Sequence, residues 1–252
     1  MKYPVIIIGL GEMGGVFARG FLRSGHPVFP VTRKTDSEAL AAELRMPELV
    51  LVAVAENDLH AVLKDIPERW RDRLVLLQNE LLPGDWEQYG YSNPTVISVW
   101  FEKKKGQDAK AIIPSPVFGP KANLLADALG NIDIPTAILD DADQLLFELV
   151  RKNVYILTTN IAGLKTGGTV GELWSQHQDV ASDVANEVIT LQEKLTGRSF
   201  DREALIESMV AAFSGDTEHK CMGRSAPVRL KRALELAERY AVEVPMLSWI
   251  AG

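Results

Sequence analysis

Residues 5–15 read VIIIGLGEMGG, and this stretch restricts the fold of the 252-residue chain more than any other. An apolar, β-branched run of this kind is a buried strand, and Gly9, Gly11 and Gly14 break it before the helix-like VFARGFL of residues 16–22. Strand, tight turn and helix in this order leave a helix N-terminus bare. Gly9 permits the turn, Gly11 lets a pyrophosphate approach the backbone, and Gly14 lets the helix pack close to the strand. Free N–H groups and the positive end of the helix dipole then hold the phosphates. Gly9, Leu10, Gly11, Glu12, Met13 and Gly14 are therefore expected to bind a dinucleotide.

The end of the next strand, residues 28–31, decides which dinucleotide. An Asp or Glu there takes the ribose 2′-OH of NAD, whereas cationic side chains accept the 2′-phosphate of NADP. This chain offers Thr32-Arg33-Lys34, a fork of donors and a point charge, with Asp36 two residues too far on. NADP(H) is the expected cofactor, and Thr32, Arg33 and Lys34 are its expected selectors.

Further along, residues 37–46 and 59–66 read as helices, and 49–55 and 74–77 as buried strands. Alternation of this kind with short links builds a doubly wound parallel sheet with right-handed crossovers. Residues 96–101, 111–114 and 137–139 look like shorter strands that extend the sheet. Lys103-Lys104-Lys105-Gly106 between them reads as a solvated turn. From Asp141 the pattern turns helical, with one long helix over 142–164 and others over 182–195, 202–213 and 227–240. The expected architecture is α/β: a Rossmann-type NADP-binding domain over residues 1–142, then an all-helical substrate or dimerisation domain over 143–252.

Bulk properties narrow the function. The net charge of −7 argues against nucleic acid or an anionic membrane surface as a partner. A single cysteine, Cys221, excludes an intramolecular disulfide and fits a reducing compartment. No signal-peptide pattern precedes the first strand and no apolar run is long enough for a membrane span, so a cytoplasmic protein is expected. His26, His60, His177 and His219 show no metal-ligand spacing, and the helical half leaves room for a homodimer interface.

Lys152 stands out in the helical half. Tyr155, Ile156, Thr159 and Asn160 share its helix face by three-and-four spacing. An amine so placed can hydrogen-bond a substrate carbonyl and deliver a proton to it, and partial burial lowers its pKa toward that task. The competing role is a snorkelling lysine that covers apolar surface.

Across nearly its whole length the chain resembles the ketopantoate reductase (2-dehydropantoate 2-reductase) family, NADPH enzymes that reduce a 2-oxo acid to a 2-hydroxy acid. The matching residues are GLGEMG at 9–14, the basic end of the second strand, Gln78-Asn79 and Phe118-Gly119-Pro120. Lys152 with Asn160 eight residues on, Gly171-Glu172-Leu173, Ser208-Met209 and Thr217-Glu218 complete the match. The resemblance implies Lys152 as general acid on the keto oxygen and Glu218 as the carboxylate that positions the proton. It further implies Ser208 and Asn160 in the substrate pocket, and Asn79 beside both nicotinamide and substrate. Three positions depart from the family pattern: Glu80 replaces a glycine, Ile156 an asparagine and Ala212 an aspartate. Two other plans share the glycine-rich turn. One is a β-hydroxy-acid dehydrogenase or imine reductase, although residues 144–151 lack the glycine-rich segment that the former carries before its lysine. The other is a non-catalytic NADP-binding or sensor protein.

Overall fold

The computed structural model describes residues 2–252. Its chain divides into two compact units, Met1–Glu148 and Leu149–Gly252.

The first unit opens with β1 (Val5–Ile8), α1 (Glu12–Arg23), β2 (Val28–Val31), α2 (Ser37–Glu43) and β3 (Leu49–Val52). It continues through α3 (Leu59–Lys64), β4 (Leu74–Leu76), α4 (Pro83–Glu87), β5 (Thr95–Ile97), β6 (Phe101–Glu102) and β7 (Lys110–Ala111). β8 (Ser115–Phe118), α5 (Ala122–Gly130) and β9 (Thr136–Ile138) follow. Seven strands form one sheet in the order β2-β1-β3-β4-β5-β8-β9. The first five are parallel, β8 runs antiparallel to β5, and β9 is parallel to β8. The Rossmann-type parallel sheet expected from the sequence is present. From β1 the chain winds first to β2 and then across to β3, so the switch in direction falls at the carboxyl end of β1. Ligands of open α/β sheets bind at such a point.

Every residue of β1 and β3 is buried, which explains why both read as unbroken apolar runs. Val5, Ile7, Leu49, Leu51 and Val75 line one face of the sheet with Phe17 and Phe21 of α1 and Leu125 and Leu129 of α5. A Cβ at Gly20 would stand 2.5 Å from the carbonyl oxygen of Ala128, so α1 and α5 touch backbone to backbone.

The strands after β5 differ from the expectation. β6 and β7 leave the main sheet and pair only with each other, and β8 begins at Ser115, beyond the strand read over 111–114. The cause is the proline pair. Pro114 and Pro116 have no N–H to donate, so a ladder from β8 cannot run on past Ile97. Pro116 instead accepts from Ser98 N–H at 2.9 Å, and the Ser115 hydroxyl accepts from Trp100 N–H at 2.9 Å.

The long helix is α6 (Ala142–Thr166), and the boundary between the two units falls inside it. Its first turn is capped by Asp141, whose carboxylate accepts from Gln144 N–H at 2.8 Å. The second unit is otherwise α7 (Val170–Gln176), α8 (Gln178–Thr196), α9 (Arg202–Phe213), α10 (Ala226–Tyr240) and α11 (Pro245–Ala251). α7 and α11 are additions to the helices read from sequence. α7 starts on a Thr169–Glu172 capping box, which gives Glu172 of the Gly171-Glu172-Leu173 match a structural role. Glu187 of α8 accepts from the N–H groups of Met246 and Leu247 and so caps α11. No helix among the described residues is long and apolar enough to cross a membrane.

Candidate functional site

The glycine turn has the geometry its sequence demands. Gly9 sits at φ +91°, and a Cβ there would lie 2.8 Å from the Ala53 carbonyl oxygen at the end of β3. A Cβ at Gly14 would lie 2.1 Å from the Gly9 carbonyl oxygen, so α1 meets the end of β1 without a side chain between them. Gly11 differs from both: nothing lies within 4 Å of where its Cβ would be. It is the N-cap of α1, and no side chain caps that end. Open space before a bare helix N-terminus fits a pyrophosphate. Leu10 is half exposed in the turn, and Glu12 and Met13 begin the helix.

At the end of β2, Thr32, Arg33 and Lys34 are all exposed. Thr35 and Thr32 close the turn between them, with Thr32 N–H donating to the Thr35 hydroxyl at 3.0 Å. Arg33 reaches the Asp58 carboxylate just beyond β3 at 3.2 Å, yet its side chain remains 92% exposed. An ion pair that open contributes little and is readily exchanged for another anion. Asp36 is occupied elsewhere: it caps α2 by accepting from Ala39 N–H at 3.0 Å.

The ends of β3 and β4 are tied together by Gln78. Its buried amide donates to the carbonyls of Val52 at 2.7 Å and Val54 at 3.3 Å. Asn79 then donates to the Glu56 carboxylate at 3.1 Å. Glu80 follows at φ +61°, one of few non-glycine residues in the left-handed region. Backbone of this shape favours glycine, the residue in the resembled pattern, and a glutamate side chain disfavours it. Glu80→Gly is expected to stabilise the fold by about 1 kcal/mol in urea unfolding. A loss of stability would show that contacts of the Glu80 side chain outweigh the strain.

Beside the turn lies a cleft of about 500 Å³, lined by Gly11, Glu12, Arg19, Lys103, Asp108 and Asp133 among others. Lys103 is the unexpected member. The sequence places it in a solvated lysine run, but its side chain is only 19% exposed and its amine lies 2.8 Å from the Glu12 carboxylate. Lys104 and Lys105 are exposed, as read.

In the second unit, Lys152 is half-buried on α6, with its amine 5.9 Å from the centre of the Tyr155 ring. That ring packs on Phe213 at 5.5 Å and on His219 at 6.4 Å between centroids. Ile156 is buried, and so is Ala212 on α9, so two of the three departures from the family pattern exchange a polar group for core. Asn160 is held from two sides. Its oxygen accepts from the nearly buried Arg229 at 2.8 Å, and its nitrogen donates to the Cys221 carbonyl at 3.2 Å. Nothing in the sequence around Arg229 singles it out. Ser208 is partly buried on α9, with its hydroxyl donating to the Ala204 carbonyl one turn back at 2.6 Å.

Glu218 is exposed in the turn segment between α9 and α10. Backbone bonds fix that segment to the start of α7: Gly171 N–H donates to Thr217 O, Val170 N–H to His219 O and Cys221 N–H to Gly168 O, at 2.9–3.1 Å. A Cβ at Gly171 would stand 3.1 Å from Thr217 O, a tight contact that glycine relieves. Cys221 is buried, and burial with the nearby Glu172 carboxylate pushes its thiol up to about 11. A protonated thiol is a poor nucleophile, in keeping with an ordinary structural cysteine.

Whole-chain comparison of structures finds the same fold in solved enzymes. A 2-dehydropantoate 2-reductase from Methylococcus capsulatus superposes with a TM-score of 0.72 at 15% identity, over 98% of this chain and 94% of that one. The fold is that of the ketopantoate reductases. A dimeric ketopantoate reductase from Staphylococcus aureus matches with a TM-score of 0.67 at 15% identity, over 98% and 96% of the two chains. D-mandelate dehydrogenase in complex with NADH matches with a TM-score of 0.69 at 15% identity, over 100% and 96%. No family model and no curated protein sequence matches the chain. At this identity the likeness establishes the fold.

Proposed function

We propose that this protein is an NADPH-dependent reductase of a small 2-oxo acid, with a 2-hydroxy acid as product. The observation that carries the reading is the glycine turn: the N-terminus of α1 is uncapped, with open space before Gly11 and Gly14 packed on the Gly9 carbonyl. The residues present fit a nicotinamide dinucleotide, which when bound supplies the hydride. The backbone N–H groups after Gly11 hold its pyrophosphate, and Thr32, Arg33 and Lys34 receive the 2′-phosphate. Lys152 hydrogen-bonds the keto oxygen of the substrate and gives it a proton, and Glu218 orients that proton. Asn79, Asn160 and Ser208 place the substrate. Both sets of structural neighbours support the substrate class, because 2-dehydropantoate is a 2-oxo acid and D-mandelate a 2-hydroxy acid. A homodimer in the cytoplasm is the working assembly, by analogy with the dimeric neighbour.

The choice of NADPH over NADH rests on Arg33 and Lys34, because the mandelate dehydrogenase was solved with NADH. Arg33→Ala is expected to raise KM for NADPH about tenfold and to leave KM for NADH unchanged. Equal effects on both cofactors would remove Arg33 from selection. The activity itself is tested by NADPH oxidation with ketopantoate and with 2-oxo acids bearing branched aliphatic or aromatic side chains. Turnover is expected on at least one of them, with no oxidation of 3-hydroxy acids. Oxidation of 3-hydroxy acids alone would favour the β-hydroxy-acid dehydrogenase plan.

A further inference from the structure

We infer that Lys103 is a positioning residue of the dinucleotide site, and that it acts by neutralising the carboxylate which Glu12 places in the glycine turn. This rests on the cofactor reading above and adds to it a residue from a separate hairpin. The residue directly after Gly9-Leu10-Gly11 begins the helix whose N-terminus would hold a pyrophosphate, and here that residue is the acid Glu12. A carboxylate at a helix N-terminus is comfortable in an empty turn, because it complements the dipole. With an anionic ligand at the same end, the two negative charges compete for it.

The cleft beside the turn sharpens the problem. Its ionisable lining is Glu12, Asp108 and Asp133 against Arg19 and Lys103. Arg19 is engaged at 3.5 Å with Asp108, and both are well exposed. Lys103 is the cation at the turn itself. Its amine donates to Glu12 at 2.8 Å and to the Lys104 carbonyl at 2.8 Å, and its stem is covered, so the charge is held in place. The β6–β7 hairpin is anchored to α1 by Phe101, whose ring packs at a tilt on Phe17 with 6.0 Å between centroids. This sets Lys103 against Glu12 across 91 residues of sequence.

Direct titration of the full-length protein with NADPH, followed by nicotinamide fluorescence at low ionic strength, tests the inference. Lys103→Met is expected to weaken NADPH binding about tenfold, because Glu12 is left uncompensated, and added salt shrinks the difference. Glu12→Gln alone is expected to bind NADPH at least as tightly as the unaltered protein. The double variant Glu12→Gln, Lys103→Met is expected to return to within about twofold of it. That rescue separates charge neutralisation from mere support of the hairpin, which removal of the Glu12 charge would not restore. Unchanged affinity in Lys103→Met would overturn the inference. So would a double variant as weak as Lys103→Met, which would make Lys103 a support of the hairpin or a direct phosphate ligand instead. Failure of the unaltered protein to bind NADPH would remove the cofactor reading itself, a result distinct from either.

Discussion

Replacing Lys152 with alanine is expected to lower kcat by about a thousandfold and to leave the NADPH dissociation constant within about twofold of its original value. The asymmetry follows from position. Lys152 is on α6, whereas the glycine turn and the basic end of β2 belong to the first unit. Loss of a general acid removes an interaction made as charge develops on the keto oxygen, so kcat and kcat/KM fall together. Lys152→Arg is expected to be nearly as inactive, because a guanidinium does not give up its proton. Steady-state kinetics beside a cofactor titration reads both numbers. A fall of less than about tenfold would leave Lys152 as a half-buried side chain lying along the Tyr155 ring, with no part in the chemistry.

The second large effect is expected at Gly14. A methyl group there would meet the Gly9 carbonyl oxygen at 2.1 Å, and both atoms belong to rigid backbone. Helix α1 has to tilt away from the end of β1, which opens the turn. Gly14→Ala is expected to destabilise the protein by about 3 kcal/mol and to abolish NADPH binding by the molecules that remain folded. Gly20→Ala is the matched control. Its methyl group would meet the Ala128 carbonyl at 2.5 Å, two turns along the same helix and away from the phosphate end. It is expected to lose about 2 kcal/mol and to keep its affinity for NADPH. Thermal unfolding followed by circular dichroism, with and without NADPH, checks the pair. Equal loss of binding in both variants would show that the turn depends on the whole seating of α1 and not on the Gly9–Gly14 contact.

What could be read from sequence follows the range of the interactions involved. Gly9 and Gly14 were legible because each answers a requirement set within a few residues or by the next strand. The long α6 and the helices α8, α9 and α10 were legible because their apolar residues repeat at helical spacing. The β6–β7 hairpin was not, because its departure from the sheet depends on what Pro114 and Pro116 cannot donate to a strand seventeen or so residues earlier in the chain. Lys103 was hidden in a lysine run whose other members are solvated, and its partner Glu12 lies in another part of the chain. Arg229 carries no local signal at all, since only the fold brings it to Asn160. The start of α7 could have been found, because Thr169 and Glu172 have the spacing of a capping box. The left-handed backbone at Glu80 was legible only through the glycine that the family pattern has in its place.

The measurement that bears most directly on the proposed reduction is transfer of deuterium from NADPH labelled at nicotinamide C4 to a 2-oxo acid, read by mass spectrometry of the product. The expected result is a 2-hydroxy acid with deuterium at C2, formed in step with NADPH loss and absent with Lys152→Ala. NADPH bound by the unaltered protein, with no labelled product from ketopantoate or from any branched or aromatic 2-oxo acid, would contradict it.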